Sequence, residues 1–393
     1  MKKILIGIGI VAVLLIVIRK CTIIDPPNKW VNNEVSTSYP DGTISEPSAQ
    51  PSKAEIFIDA SGSMKPYFKE KNPAIKNTLS KIQNVHGQPN TDIFFCGDKK
   101  PRGGYVDDII REIQYQPNDI TTLFHYFFKD VAAKVDTTDV IVYLLTDGIM
   151  SVGNTPDMTA KMVQLEGLVS ESFKGQSNLA CAIYRYTGEY NGPYWDRLGK
   201  TFSHDGTRPY YIIALGKKEA IRWLKTQKDG DLNSPEGKLF VGIHDFKAHQ
   251  EKAVLALGDS VPLEDMNSDT KLILDLPACL KDIDSEYVKS HASITIGGKN
   301  VKIPIEKDEM GRIVATISPT VPVQPDPDGG ISATLTIENA IPDQWLTTWS
   351  TDDDTAGPDA TTTFGLSYLI KGIVKGIQSE DTLLTVKYHY YLQ

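Results

Sequence analysis

The chain has 393 residues, of which 40% are hydrophobic and 23% charged; these values are near the globular average and exclude a fully disordered chain or a membrane protein with many spans. The formal net charge is −9, and residues 246–393 hold 22 acidic but only 12 basic side chains, so the acidic excess lies in the last third. No basic stripe beyond the N-terminal end could neutralise a row of phosphates, which argues against a nucleic-acid-binding protein.

The N-terminal end predicts a membrane anchor. Residues 4–18 are an apolar run of 15 residues with two basic residues on each side. A helix over this run covers about 22 Å, which is shorter than the hydrocarbon core, but the flanking basic side chains can reach the interface. Arg19 and Lys20 stand where a cleavage site needs small residues. We therefore expect residues 1–20 to be a single-pass transmembrane anchor with most of the chain outside the cytoplasm; a removed signal is the alternative.

Two segments with different patterns follow the anchor. Residues 21–53 are rich in Pro, Ser, Asn and Thr without hydrophobic periodicity, which is typical of a flexible stalk. Residues 54–245 alternate amphipathic helical stretches with short apolar runs. The runs predict strands at residues 54–59, 92–96, 140–145, 179–186 and 210–215. This alternation predicts an α/β fold with a doubly wound, mostly parallel sheet, in which ligands bind at the carboxyl ends of the strands.

Two motifs lie at such strand ends. The sequence Asp-Ala-Ser-Gly-Ser follows the first predicted strand at residues 59–63, and Thr-Asp-Gly follows the strand at 140–145. With their flanking residues, 56–64 and 143–148, these motifs resemble the von Willebrand factor type A domain and its metal-ion-dependent adhesion site over residues 53–245. The resemblance implies that five residues hold the metal: Asp59, Ser61, Ser63, Thr121 and Asp147. Thr122 is the alternative to Thr121, because the residues before this pair depart from the family pattern.

The resemblance also implies a cation and a partner. Mg²⁺ is the expected cation, with Mn²⁺ or Ca²⁺ as alternatives, because hydroxyl and carboxylate oxygens are the ligands that hard divalent cations prefer. In the family, an aspartate or glutamate of a protein ligand completes the metal's coordination. Each residue also has a simpler interpretation, since Asp59 and Ser61 could cap a helix and Asp147 could begin an ordinary turn.

These observations predict a non-enzymatic, membrane-anchored module that binds a protein through the metal, in adhesion or assembly at the cell envelope. The sequence contains no nucleophile elbow, zinc-protease helix or Walker loop. A metal-assisted hydrolase or phosphatase that uses Asp59 and the same strand-end carboxylates is one alternative. A structural subunit of an envelope complex, in which the metal loop only stiffens the fold, is another.

From residue 246 to residue 393 the sequence pattern changes from strand–helix alternation to short strand candidates separated by turns. This pattern predicts a smaller antiparallel β-sandwich. The Gly297-Gly298 pair is typical of a hairpin turn between two of these strands. One amphipathic stretch, residues 364–377, predicts a helix packed across the sandwich. The aspartates at 352–354 lack the ligand pattern of a calcium loop, so we expect a solvated acidic turn.

Overall fold

We describe the fold from a computed structural model of the chain. The described residues are 31–40, 50–68, 73–96, 100–102, 106, 124–150, 157–227, 232, 234–243, 246–249, 270–274, 285–309, 311–317, 330–338, 340–378 and 382–391. The predicted anchor and Thr121 lie outside these residues. Among the residues that are described, no helix combines the length and the apolar composition that crossing a bilayer requires.

The described residues form strands, α-helices and short helices of other types. The strands are β1 (Val31–Pro40), β2 (Lys53–Ile58), β3 (Thr91–Phe95), β4 (Val140–Thr146), β5 (Leu179–Trp195), β6 (Thr201–Lys217), β7 (Gly237–Val241), β8 (Phe246–His249), β9 (Thr270–Leu274), β10 (Ala292–Ile296), β11 (Lys299–Val301), β12 (Ile305–Lys307), β13 (Ile313–Ile317), β14 (Gly330–Glu338), β15 (Ser350–Thr351), β16 (Thr363–Phe364) and β17 (Thr382–Tyr391). The α-helices are α1 (Pro73–His86), α2 (Phe124–Thr137), α3 (Met158–Glu171), α4 (Lys218–Thr226), α5 (Ser285–His291) and α6 (Leu366–Ile377). The short helices are 3₁₀ turns at Gly62–Phe68 and Gln88–Asn90 and a π turn at Gln344–Thr348.

The chain folds into two compact units, each built from separate stretches of sequence. The α/β unit comprises residues 45–245 and 341–379, and the β unit comprises residues 1–44, 246–340 and 380–393. The division between residues 245 and 246 coincides with the predicted boundary, but residues 341–379, which were predicted to lie in the C-terminal domain, belong with the α/β unit.

The α/β unit contains a mixed six-stranded sheet in the order β3-β2-β4-β6-β5-β7. Strand β2 pairs in parallel with β3 and β4, whereas the β4–β6, β5–β6 and β5–β7 pairs are antiparallel. Four of the six strands, β2 to β5, therefore run in the same direction. The predicted α/β class is confirmed, and the sheet is mixed.

Strand β4 shows why its sequence is an unbroken apolar run. All seven of its residues are buried. Ile141, Tyr143 and Leu145 pack into the core on one side of the sheet, and Val142 and Leu144 pack into the core on the other. Helices α1 and α4 contribute to the first core, and α2, α3 and α6 contribute to the second. A strand that is buried on both faces needs apolar side chains at every position rather than at every second one.

Helix α6 lies in the α/β unit, although the sequence predicted that it packs across the C-terminal sheet. Its Leu369 and Ile373 are buried in the same core as Val169 of α3. Two glycines allow the two helices to approach closely. A Cβ atom on Gly372 would lie 2.8 Å from the carbonyl oxygen of Glu166, and one on Gly376 would lie 2.6 Å from that of Ser170. The amphipathic pattern of α6 identified a buried face but not the partner that buries it.

The β unit contains two antiparallel sheets, which confirms the antiparallel part of the prediction. One has the strand order β11-β10-β14-β17-β1-β8 and the other β12-β13-β9. Gly297 and Gly298 join β10 to β11 with φ angles of +53° and +74°, as a tight hairpin turn with two left-handed residues requires.

Strand β1 falls within the segment that was predicted to be a stalk. It pairs with β17 on one side and with β8 on the other. Neighbours on both sides use its backbone hydrogen-bonding groups, which explains how a segment rich in Asn, Ser and Thr forms a strand without hydrophobic alternation. The stalk prediction and the structure therefore differ at residues 31–40.

The contact between α3 and α6 gives a prediction with a matched control. We expect Gly372→Ala to destabilise the chain by about 1–3 kcal/mol, because the added methyl group must push the helices apart. Gly167→Ala, in α3, should instead stabilise it by about 0.5–1 kcal/mol, because no atom lies within 4 Å of the added Cβ and alanine has the higher helix propensity. Chemical denaturation of both variants measures the difference; two equal effects would contradict the close contact.

Candidate metal centre

Asp59 stands at the carboxyl end of β2, next to the end of β4. The parallel pairing sets Ile58 opposite Leu145, and the Asp59 N–H donates to the carbonyl oxygen of Leu145 at 2.9 Å. The Thr146 hydroxyl donates to Oδ2 of Asp59 at 2.8 Å. Asp59 is only 1% exposed. The pairing of β2 with β4 therefore holds the Asp59 carboxylate in place beside Thr146.

The serines lie in the loop that follows Asp59. The Ser61 N–H donates to Oδ1 of Asp59 at 2.9 Å, and the 3₁₀ turn Gly62–Phe68 follows. The hydroxyl oxygens of Ser61 and Ser63 lie 3.1 Å apart. Asp59 thus accepts a loop N–H, as the simpler capping interpretation expects. The same loop also brings two hydroxyl groups together, which capping does not require.

Asp147 begins the turn after β4 and is 2% exposed. Its Oδ1 atom accepts a hydrogen bond from the Ile149 N–H at 3.1 Å. Its Oδ2 atom is buried and has no hydrogen-bond partner among the described residues. Gly148 has a φ of +71°, and a Cβ there would lie 2.9 Å from the Tyr211 ring, so a side chain at this position would strain the turn. The Ile149 N–H therefore holds Asp147 through Oδ1, and the Ser63 side chain lies close enough to the carboxylate to lower its pKa.

Asp59 and Asp147 lie close enough to interact electrostatically. The pKa of Asp147 is raised to about 6, mainly by burial and next by the nearby Asp59 carboxylate. The Ser63 side chain, the Ile149 N–H and the Arg208 guanidinium act in the opposite direction on this pKa. Two carboxylates that are buried side by side repel each other when both are charged, and a divalent cation would remove that cost.

The donor atoms fit a hard divalent cation, because the predicted set consists of carboxylate and hydroxyl oxygens. Four of its five residues, Asp59, Ser61, Ser63 and Asp147, are described and lie at this edge of the sheet. Thr121 lies outside the described residues, so the choice between Thr121 and Thr122 stays a prediction. Across the described part of the chain, no three histidine, cysteine, aspartate or glutamate side chains come together in a way that could hold a metal. The predicted set has only two such side chains.

Two residues near the site were not predicted. Thr146 was part of the Thr-Asp-Gly motif, but the motif did not reveal that its hydroxyl holds Asp59. Arg208 lies in the Gly-, Tyr- and Pro-rich insertion, residues 187–209, which extends β5 and β6 as a long hairpin. Arg208 is 1% exposed, and it is two residues from the buried Tyr210 on the same strand. Period-two alternation through the insertion could have placed it on the buried face.

The hairpin packs beside the serine loop. The Tyr67 hydroxyl donates to the carbonyl oxygen of Pro209 at 2.6 Å, and the Tyr67 and Tyr190 rings are 4.8 Å apart. Farther along the hairpin, the Tyr194 hydroxyl and the Arg197 N–H donate to Asp354. Asp354 is buried, which differs from the solvated acidic turn that the sequence predicted for residues 352–354.

Because the two carboxylates repel each other, removing one charge should stabilise the fold, and the size of this effect should depend on pH. With chelator present at pH 7, we expect Asp147→Asn to raise the free energy of unfolding. The raised pKa means that ionising Asp147 costs the folded state stability, and this cost appears as the pH rises from 3.8 to about 6. The gain should therefore disappear below pH 3.8.

Denaturant unfolding at several pH values between 3.5 and 8 measures this gain in the free energy of unfolding. The method resolves differences of about 1 kcal/mol. The control is Asp136→Asn, at an exposed position of α2, which should change stability little at any of these pH values. A loss of stability in Asp147→Asn at pH 7 would show that the carboxylate is paired more favourably than the geometry indicates.

Comparisons of the chain with protein-family models, with curated proteins and with solved structures found no match. The likeness to the von Willebrand type A domain therefore rests on the two motifs alone. The placement of those motifs at adjacent strand ends of an α/β sheet rests on the structure.

Proposed function

We propose that this chain is a membrane-anchored, divalent-cation-dependent protein-binding module of the von Willebrand type A kind. The observation that carries the proposal is the buried carboxylate pair, Asp59 and Asp147, in which Oδ2 of Asp147 has no hydrogen-bond partner among the described residues. Two serine hydroxyls lie in the loop beside the pair. This is an arrangement of oxygen donors that gains stability from a cation.

The residues of the chain have distinct parts in this proposal. Asp59, Ser61, Ser63 and Asp147, with Thr121, would hold Mg²⁺ or a related cation, which when bound would attract the carboxylate of a partner protein. Thr146 and the Ser61 N–H hold Asp59 in one orientation, and the Ile149 N–H does the same for Asp147. A site whose side chains are oriented in advance loses less entropy on binding. The chain's own carboxylates are partly engaged by these hydrogen bonds, so an aspartate or glutamate of the partner supplies the additional charge.

The proposed location follows from the N-terminal sequence. Residues 4–18 would cross the membrane once, and the two folded units would lie outside the cytoplasm. Twelve residues separate the apolar run from the start of β1 at Val31, so the β unit would begin closer to the membrane along the chain than a 33-residue stalk would allow.

Cation binding is the direct test of the site. We expect Mg²⁺ to raise the melting temperature of the wild-type chain relative to chelator, since a ligand that binds only the folded state stabilises it. Ser61→Ala and Asp147→Asn should lose most of this shift. Ser177→Ala, at an exposed position, should keep it. Thr121→Ala should lose more of it than Thr122→Ala; the reverse order would move the threonine ligand by one residue. A full shift in Ser61→Ala would contradict the proposed ligand set.

The Asp59→Ala variant distinguishes the protein-binding proposal from the hydrolase alternative. We expect this variant to abolish Mg²⁺-dependent capture of an Asp- or Glu-bearing protein partner, and changing that acidic residue to its amide should do the same. The two carboxylates lie at the sheet edge, so the fold should survive. If Asp59→Ala leaves capture intact but destroys a phosphate-release activity, the site belongs to a hydrolase and the binding proposal fails.

The anchor is tested by deletion. The full chain should remain with membranes in high salt, whereas a chain that lacks residues 1–24 should be soluble and folded, because this deletion stops before β1. Deletion of residues 1–44 is the comparison, since it also removes β1 from between β17 and β8 and should destabilise the β unit. Recovery of a mature chain that begins near Cys21 would contradict the anchor and favour a removed signal.

A further inference from the structure

We infer that Arg208 is the built-in counter-charge of the Asp59 and Asp147 pair and that it lowers the affinity of the site for a divalent cation. The part that concerns cation affinity rests on the proposed function. The part that concerns the pairing of Arg208 with Asp147 does not, because it is a property of the metal-free protein.

Strand β6 carries Arg208 to the site. Its pairing with β4 sets Tyr211 opposite Thr146, and Arg208 is three residues before Tyr211 on the side of the Asp147 turn. The guanidinium lies 4.1 Å from the centre of the Tyr194 ring and 5.4 Å from that of Tyr190. Asp147 directly follows Thr146, so the Asp147 turn and Arg208 lie at the same end of the β4–β6 pair, and both side chains are buried there. In keeping with this placement, the guanidinium opposes the rise in the Asp147 pKa. A full positive charge is therefore buried within electrostatic reach of the carboxylate pair.

The contacts of Arg208 do not compensate that charge by themselves. Its Nε and Nη1 atoms are buried without a hydrogen-bond partner among the described residues, and no ion pair joins it to a described carboxylate. Two tyrosine rings lie beside the guanidinium and attract a cation weakly, and the Tyr194 side chain also forms a hydrogen bond with it. A guanidinium stays charged when buried, and a buried charge is costly unless an opposite charge is near. Asp147 is a buried carboxylate on which the charge of Arg208 acts.

Charge counting gives the consequence for the metal. Without a cation, the positive charge of Arg208 offsets part of the negative charge of Asp147 and so reduces the cost of its repulsion by Asp59. With a divalent cation bound, the same guanidinium repels it. Interactions between charges at this depth are stronger than in water. Arg208 therefore stabilises the metal-free site and weakens cation binding, and an anionic partner that joins the cation would offset part of this repulsion.

The experiment measures Mg²⁺ and Mn²⁺ affinity by calorimetric titration of the full chain. We expect Arg208→Met, which removes the charge and keeps most of the volume, to bind the cations about tenfold or more tightly than wild type. Arg208→Lys keeps the charge and should stay within about threefold. An unchanged or weaker affinity in folded Arg208→Met would overturn the inference. If no variant binds either cation, the proposed function fails, and the pairing is decided by the next measurement.

That measurement is a double-mutant cycle on unfolding stability in chelator. We expect Arg208→Met to cost much less stability in the Asp147→Asn background than in wild type, because the neutral side chain no longer needs a counter-charge. Recovery of folding in the double variant would support the pairing if Arg208→Met alone does not fold. The matched control is Asp359→Asn. The Asp359 carboxyl is exposed, and Arg208 also lowers its pKa, so this variant should show little coupling to Arg208→Met. Equal costs in both backgrounds, as a purely structural arginine between tyrosines requires, would overturn the inference.

Discussion

The burial of two carboxylates at one edge of the sheet is the constraint on which the site depends. Because β2 and β4 are parallel neighbours, the residues that follow them meet, and Asp59 and Asp147 are brought together away from solvent. The surrounding groups counter the resulting charge: two backbone N–H groups and the Thr146 hydroxyl donate to the carboxylates, and the Arg208 guanidinium acts from farther away. These groups reduce the cost of burying the two carboxylates but do not cancel their negative charge.

Much of the fold could be predicted because short-range patterns determine it. The strands at 140–146 and 292–296 and the helix at 366–377 follow from apolar runs, alternation and helical periodicity, respectively. Pairing partners could not be predicted in the same way. The buried face of α6 could pack on any apolar surface, and the close approach of its glycines to α3 is visible only in the folded chain. The sequence of β1 shows no hydrophobic alternation. Its place between two other strands depends on backbone hydrogen bonds, which the sequence pattern does not reveal.

The candidate site divides along the same line. Asp59, Ser61, Ser63 and Asp147 lie in short motifs whose spacing already implies a turn after a strand, so sequence alone could select them. Thr146 and Arg208 act through contacts with residues that are distant in sequence: the hydroxyl bonds to a carboxylate 87 residues earlier, and the guanidinium enters from a hairpin insertion. Such residues become visible only when the register between strands is known.

The division of the chain into two interleaved units has a consequence for how the protein is made. The β unit cannot complete its larger sheet until β17 has been synthesised, because β17 separates β14 from β1. The α/β unit also lacks α6 until residue 377 is available, and its core around Val169 stays open. Both units therefore wait for the end of the chain during synthesis, with strand edges and apolar faces uncovered. Such intermediates are prone to aggregation, so this chain is expected to need chaperones while it is being translated.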